Sequence, residues 1–494
     1  MNAEPTRYHL PGLDRHGIIF GLNIAQLIVV SIGFALTMFF LMATNAGIIV
    51  ALSPSIVAFA IVKISFGGIP LLELVGPVIA GVPKAKRREW TADTNWTGTV
   101  GDTPPTFGGL TITDEHWHGL ERMAVIWDDT AKSAALVLEV PGVDFALRTP
   151  AEQEALLGGW GIALSGFAVE GSAVERICVT QTANQSSLAD HEGWVTSQGA
   201  NVATELRADY NALVTAAGPS TTNHRTHITI VVSSFRLSRS SWGTDGKSDH
   251  ERLLDALRRS AHQLQSSLHS ADLKDSQVLP LAELATVMRE ACDPTTAQAV
   301  APRTGSLTDR LGATGNDRMG PTQAYWHSNW YETDLCAHRT FWIQNWPRHP
   351  LHAGWLTNML SQPGTARRFT VIFRPVKPSV SHRRIDRELT RIHGDTEHKI
   401  EQGGRISAET RRHLAAVEER EEELVSGFAE VTYLGLVTVS GDSLEALENA
   451  AASFEGAALQ AGLTLRPLDH QHDIGWAAAL PLGLGVELGK TADF

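Results

Sequence analysis

Gly17–Val62 reads GIIFGLNIAQLIVVSIGFALTMFFLMATNAGIIVALSPSIVAFAIV and contains no Asp, Glu, Lys or Arg. A bilayer core takes about 20 apolar residues per helix, so the stretch is long enough for two spans and a tight turn. Ile24–Ala43 makes the first span and Ala46–Val62 the second. The expectation is a transmembrane helical hairpin within residues 1–66. Arg7 and Arg15 precede it, and Lys63, Lys84, Lys86, Arg87 and Arg88 follow. Basic residues near a span stay on the cytoplasmic side. Both termini and the large remainder are therefore expected in the cytoplasm, in a multi-pass protein of the cell membrane. Other assignments compete. A signal peptide would have a shorter apolar region and no second segment behind it. A buried globular hairpin would show a polar face. Pro54 and the shorter second segment fit a re-entrant or interfacial helix.

Beyond the hairpin, Leu71, Leu74, Val75, Val78 and Val82 recur at helical spacing and end in the basic KAKRREW. Residues 67–109 read as an interfacial or linker helix followed by a Thr-, Gly- and Pro-rich loop. A first α+β module is expected over 110–292. Its strands are 123–127, 134–140, 177–182 and 227–233, and its helices start at Thr149-Pro150, Thr204, Asp249 and Ala282. Thr149 at the N-cap, Pro150 at the first helical position and Glu152 in the first turn form a helix start. Residues 293–324 lose periodicity and read as a loop. A second module follows over 325–494, with strands at 340–347, 369–374, 429–439 and 463–468 and a helix at 443–461. A charged helical stretch, about 381–426, is inserted in it. The fold class is α+β: the membrane hairpin, then two α/β sandwich-like, ferredoxin-like modules with helices on one face of an antiparallel sheet.

The net charge is −13, and the first 90 residues are on balance basic. An acidic body argues against nucleic-acid binding. Cys178, Cys292 and Cys336 are too few and too scattered for a disulfide framework or a zinc site. Gly489-Lys490-Thr491 imitates the end of a phosphate-binding loop, but the earlier glycine is Leu484. His116/His118 and His470/His472 have metal-ligand residue types without a predictable third ligand. There is no nucleophile elbow. Glu418 and Glu422 lie on a charged run, as do His382, His393, His398 and His413, where solvation is the default role. No enzyme, metal or cofactor is expected.

The ordered set HRTFWIQNWPR (338–348), FTVIFRPVKPS, the charged helices, TYLGLVTVSGDSLEALENAA and AGLTLRPLDHQHDIGWAAALPLGLG resembles a family of actinobacterial membrane proteins encoded in conjugation-type loci. VPGVDFALRTPAEQEALLGGWGIALSGFAVEGSAVERI in the middle of the chain agrees, so the resemblance covers nearly the whole chain. That family resembles the two-helix inner-membrane subunit of type IV secretion joined to the N-terminal, non-ATPase domain of the conjugative secretion ATPase. The resemblance implies a membrane-anchored structural adaptor that docks a separately encoded motor ATPase among other secretion membrane subunits. Its partners would include the lipid bilayer, and homo-oligomerisation is left open. On that basis the candidate interaction surfaces are Trp342 and Trp346, in a Trp-rich stretch, and Arg383, Arg384, Arg411 and Arg412 on the charged helices. Core packing is the simpler role for the two tryptophans. The alternatives are a type VII secretion accessory membrane subunit and a membrane-tethered enzyme that uses one of the histidine pairs.

Overall fold

The computed structural model describes residues 24–43, 48–63, 65–66, 69–70, 89–117, 121–142, 145–185, 204–217, 222–237, 248–273, 276–294, 319–347, 351–362, 364–401 and 408–486. The apolar run forms two packed helices, α1 (Ile24–Ala43) and α2 (Ile48–Lys63). Gly33 lets α2 approach at Ala58, and Thr37 Oγ1 and Ser55 Oγ hydrogen-bond at 2.8 Å. They are not the transmembrane hairpin expected from hydropathy. Among the described residues no helix is long and apolar enough to cross a membrane. At 1.5 Å per residue the 16 residues of α2 rise about 24 Å, short of a hydrocarbon core of about 30 Å, and Pro54 lies inside it. The 20 residues of α1 include Gln26, Ser31 and Thr37. The multi-pass membrane placement, and with it the membrane and transmembrane classification, falls with the hairpin. The expected interfacial helix at 71–82 lies outside the described residues.

The rest is not two separate sandwiches but one mixed α/β unit built on a 13-stranded antiparallel sheet. A separate two-stranded ribbon pairs β1 (Ser65–Phe66) with β2 (Ile69–Pro70). The strands on the main path of the large sheet are β3 (Glu89–Thr91), β4 (Leu110–His116), β5 (Arg122–Asp128), β6 (Ser133–Val140), β7 (Val174–Gln185), β8 (Thr222–Ser233), β10 (Gln323–Trp326), β11 (Tyr331–Thr333), β12 (Cys336–Asn345), β13 (Ala366–Pro375) and β14 (Val431–Gly441). Their order is β3-β10-β11-β12-β14-β13-β7-β8-β6-β5-β4. β9 (Gln277–Val278) joins β6, and β15 (Thr464–Pro467) joins β12. The order β9-β6-β8-β7 therefore recurs as β15-β12-β14-β13. The two sets meet at β7–β13, in register from Ile177↔Phe373 to Ala183↔Arg367. At the middle of this seam Thr370 Oγ1 and Thr180 Oγ1 are 3.2 Å apart.

Helices cover the front face. α3 (Pro150–Ser165) starts with a capping box in which Thr149 and Glu152 satisfy each other's backbone N–H groups. α4 (Thr204–Ala217), whose described side chains are mostly exposed, and α5 (Ser234–Leu237) come next in the chain, then α6 (Asp249–Ser270), which is capped the same way by Ser248 and Glu251. Leu253, Ala256, Leu257, Ala261, Leu264 and Leu268 of α6 repeat at three- and four-residue spacing. They pack on Leu136, Leu138, Ile228, Ile230 and Val232 of the sheet. In the second half the short α8 (Thr357–Leu360) and α11 (Leu444–Gln460) do the same over Phe341, Ile343, Val437 and Val439.

The back face is covered by α7 (Leu281–Cys292), α12 (His472–Ala479) and the segment that follows α12. Trp476 of α12 is fully buried, with its ring 5.7 Å from Phe107 and 5.4 Å from Tyr331. Phe107 in turn stacks on Trp96 at 5.5 Å. The stretch around 91–110, which composition marks as a loop, thus contributes two aromatic residues to the core. β3, just before it, extends the sheet edge through β10. Leu480 and Leu482 then cross to the first half, where Arg176 Nε–H donates to the Gly483 carbonyl at 2.7 Å.

Between β13 and β14 the chain leaves the sheet as two long helices, α9 (Pro378–Glu401) and α10 (Ala408–Val425). Their shared core is small: buried Ile385, Ile392 and Val417, with Leu389, Leu414 and Leu424 beside them.

Candidate functional site

The histidine pairs do not converge. His116 is exposed at the end of β4, where its carbonyl accepts from Arg258, and His118 lies outside the described residues. His470 is an exposed turn residue at φ +63°. His472 is buried, and its Nδ1 accepts the Thr340 backbone N–H at 3.1 Å. Nε2 therefore carries the proton and points to Asp469 Oδ1 at 3.5 Å. Burial holds the His472 pKa below its ordinary value, although Asp469 opposes the shift. Next to it, Asp473 Oδ2 accepts from Trp326 Nε1–H at 3.0 Å. His470-Gln-His-Asp473 is thus a clasp that pins the start of α12 to β12 and β10. Among the described residues no group of three or more His, Cys, Asp or Glu could hold a metal ion. Gly489-Lys490-Thr491 lies outside the described residues.

The tryptophans split. Trp342 is buried in the back face against Leu436, Leu468 and Ala478, with Arg466 over its ring. It is a packing residue. Trp346 is half-buried on the front, edge-on to Tyr433 at 5.2 Å and to Trp355 at 6.4 Å.

Arg383, Arg384, Arg411 and Arg412 are all exposed on α9–α10. Arg383 Nε–H donates to the Ser379 carbonyl, and Arg384 reaches Glu430 at 3.9 Å. Glu388 ties the two helices together, 3.1 Å from His413 and 3.7 Å from Arg420. His382 and His393 are exposed, as are Glu418 and Glu422. With so small a core, the pair presents most of its polar surface to solvent.

A polar band on the back face had no local sequence signal. Successive strands place Arg225, Thr182, Arg368, Thr438 and Thr340 in register across the sheet. Arg225 binds Glu139 through two nitrogens, at 2.9 and 3.1 Å, and reaches Glu290 at 3.5 Å. Arg368 is buried, which pushes its pKa down to about 10. His338 is fully buried. Thr333 donates its one hydroxyl proton to the Cys292 carbonyl, so His338 Nε2–H donates to Thr333, and Nδ1 accepts from Ser440. His227 is also buried, but neither ring nitrogen has a hydrogen-bond partner among the described residues. Burial, with Arg225 adding to it, pushes its pKa down to about 4, so the ring is neutral at pH 7. Strand pairing alone brings these residues together. Alternating Thr, Arg and His on a strand reads equally well as a solvated face.

No protein-family model and no curated protein matches the sequence. The link to secretion loci therefore stands on the resemblance alone.

Proposed function

We propose that this protein is a non-catalytic structural adaptor of a conjugative, type IV-like secretion apparatus, and that it docks a separately encoded motor ATPase. The observation that carries this reading is the α9–α10 arm. It is a charged helical pair inserted into the sheet unit at β13–β14, held by three buried aliphatic residues and a few ion pairs. Arms of this kind supply contact surface to another protein without disturbing the core that carries them. The ordered motifs from His338 to Gly485 name the partner class by resemblance. The enzyme alternative needed His116/His118 or His470/His472 to meet carboxylates in a cleft; His470 is exposed, and His472 is spent on holding β12.

The test is affinity capture of the tagged protein from native cells, with partners identified by mass spectrometry. A secretion ATPase captured by the full chain, and lost when 379–428 is replaced by a short turn, supports the proposal. Capture of no ATPase by the full chain would refute it.

A further inference from the structure

The polar band of the back face leaves its hydrogen-bonding capacity unspent at one place. Most of the band is paired. The Thr340 and Thr438 hydroxyls lie 3.0 Å apart, Thr370 meets Thr180 and the Ala479 carbonyl, and His338 uses both ring nitrogens. Three neighbouring side chains are not paired. Arg368 is 5 % exposed and makes no hydrogen bond or ion pair among the described residues. His227 is 1 % exposed and has no partner on either ring nitrogen; Thr182 is 9 % exposed and has none on Oγ1. They sit on three adjacent strands. Thr182 of β7 pairs with Arg368 of β13 on one side and with Arg225 of β8 on the other, and His227 is two positions from Arg225 on the same face. Adjacent strands are about 4.8 Å apart. Arg368 and His227 thus flank Thr182, and Arg368 is near enough to act on the charge of the His227 ring.

Buried polar groups without a partner are rare, and a cluster of them calls for a water or an ion. What this cluster lacks is an acceptor. Arg368 only donates, the neutral ring of His227 has one N–H, and Thr182 has one O–H. The two nearby carboxylates are at the rim and committed to Arg225. Glu139 holds it through both oxygens and Glu290 reaches it at 3.5 Å, and their side chains are 32 % and 17 % exposed. They do not offset the arginines at the centre. Burial pushes Arg368 down to about 10 in spite of Glu290. At His227 Arg225 acts more strongly than Glu139, and Arg368 adds to it. Farther along the band His338 is neutral, pushed down to about 3 by burial and by Arg368.

We infer that Arg368, Thr182 and His227 bind a small inorganic anion of chloride size. A water would accept only two of these donors and bring no counter-charge. The His227 nitrogens and Thr182 Oγ1 are enclosed by protein, which favours a single atom over a polyatomic group. The ion joins β7 and β8 of the first half to β13 of the second, so it is a structural ion of the seam. The inference is independent of the adaptor reading.

The experiment is urea unfolding of the full chain while chloride replaces gluconate, from about 2 to about 200 mM, at constant ionic strength. A site that exists only in the folded state lowers the unfolding equilibrium constant about tenfold for each tenfold rise in chloride above the dissociation constant. That dependence is expected of the wild type. Arg368→Met should abolish it, whatever the variant's stability in gluconate, and Thr182→Val should shift it to higher chloride. In crystals soaked in bromide, anomalous scattering should place a bromide within about 3.5 Å of both Arg368 and Thr182. If Arg368→Met does not fold, the Thr182→Val titration and the bromide position decide the matter. A wild type that unfolds identically in chloride and gluconate, a dependence unchanged in the variants, or a water where the bromide should be would each overturn the inference.

Discussion

Replacing Gly483 by alanine should destabilise the whole sheet unit, because this residue is where the C-terminal segment lies flat on the back face. Gly483 has φ +69°, in the left-handed region. A Cβ there would lie 2.5 Å from Val231 Cγ2, 3.1 Å from Thr229 Cγ2 and 3.3 Å from Ala135 Cβ. The left-handed backbone costs an L-residue about 1–2 kcal/mol, and forcing a methyl into a packed interior costs about 1–3 kcal/mol. The expected loss is therefore about 2–5 kcal/mol. Gly158→Ala is the matched control. Gly158 is inside α3 and nothing lies within 4 Å of its added Cβ, so the exchange should stabilise by about 0.5–1 kcal/mol. Urea unfolding followed by tryptophan fluorescence, with buried Trp476 as a reporter, measures both. G483A should shift the midpoint down and G158A should shift it up. A G483A midpoint within about 0.5 kcal/mol of wild type would mean that the segment does not press on β6 and β8, and the account of how the two halves are strapped together would be wrong.

Asp473→Ala removes the acceptor of Trp326 Nε1–H and should cost about 1–3 kcal/mol; the same urea titration reads the loss, and zinc should leave both proteins unchanged. For His227 the folded pKa of about 4 lies below the unfolded value near 6.5. The unfolded chain then takes up the proton first as pH falls, and about 3 kcal/mol is lost between pH 6.5 and 4. His227→Leu should flatten the fall in melting temperature between neutral and acid pH, with buried His338 accounting for part of the slope that remains; an unchanged slope would show that His227 is not the group responsible. Trp342→Ala should cost about 3–5 kcal/mol and act through the core; a variant of wild-type stability that loses only partner capture would return Trp342 to the interaction surface.

Local chemistry made many elements legible. The Thr149–Glu152 box announces α3, and the apolar stretch His227–Ser233 announces β8, whose pairing on β7 runs on toward Thr222. The seam between β7 and β13 was not legible, because nothing in either strand specifies a neighbour almost 200 positions away. Trp96 and Phe107 were hidden by the turn-forming residues around them, although their role is tertiary. Hydropathy located α1 and α2 but overstated what they do: among the described residues no helix is both long and apolar enough to cross a bilayer. Of the candidate site, the charge of the arm could be read in sequence. The ion pairs of Glu388 that tie its helices together could not, because they need the packing of one helix on the other.

The seam has an evolutionary consequence. Two copies of one four-stranded motif, joined edge to edge across Thr180 and Thr370, amount to a homodimer whose subunits have been written into a single chain. In a true homodimer any insertion appears twice. Here the halves are free to diverge: the first keeps a 16-residue α3 where the second has the four-residue α8, and the second carries α9–α10 where the first has α4. A single chain thus carries one arm on a frame whose strand order is repeated. A gene split between Cys292 and Gln323 should return two fragments, each exposing a long unpaired strand edge and prone to re-pair with copies of itself.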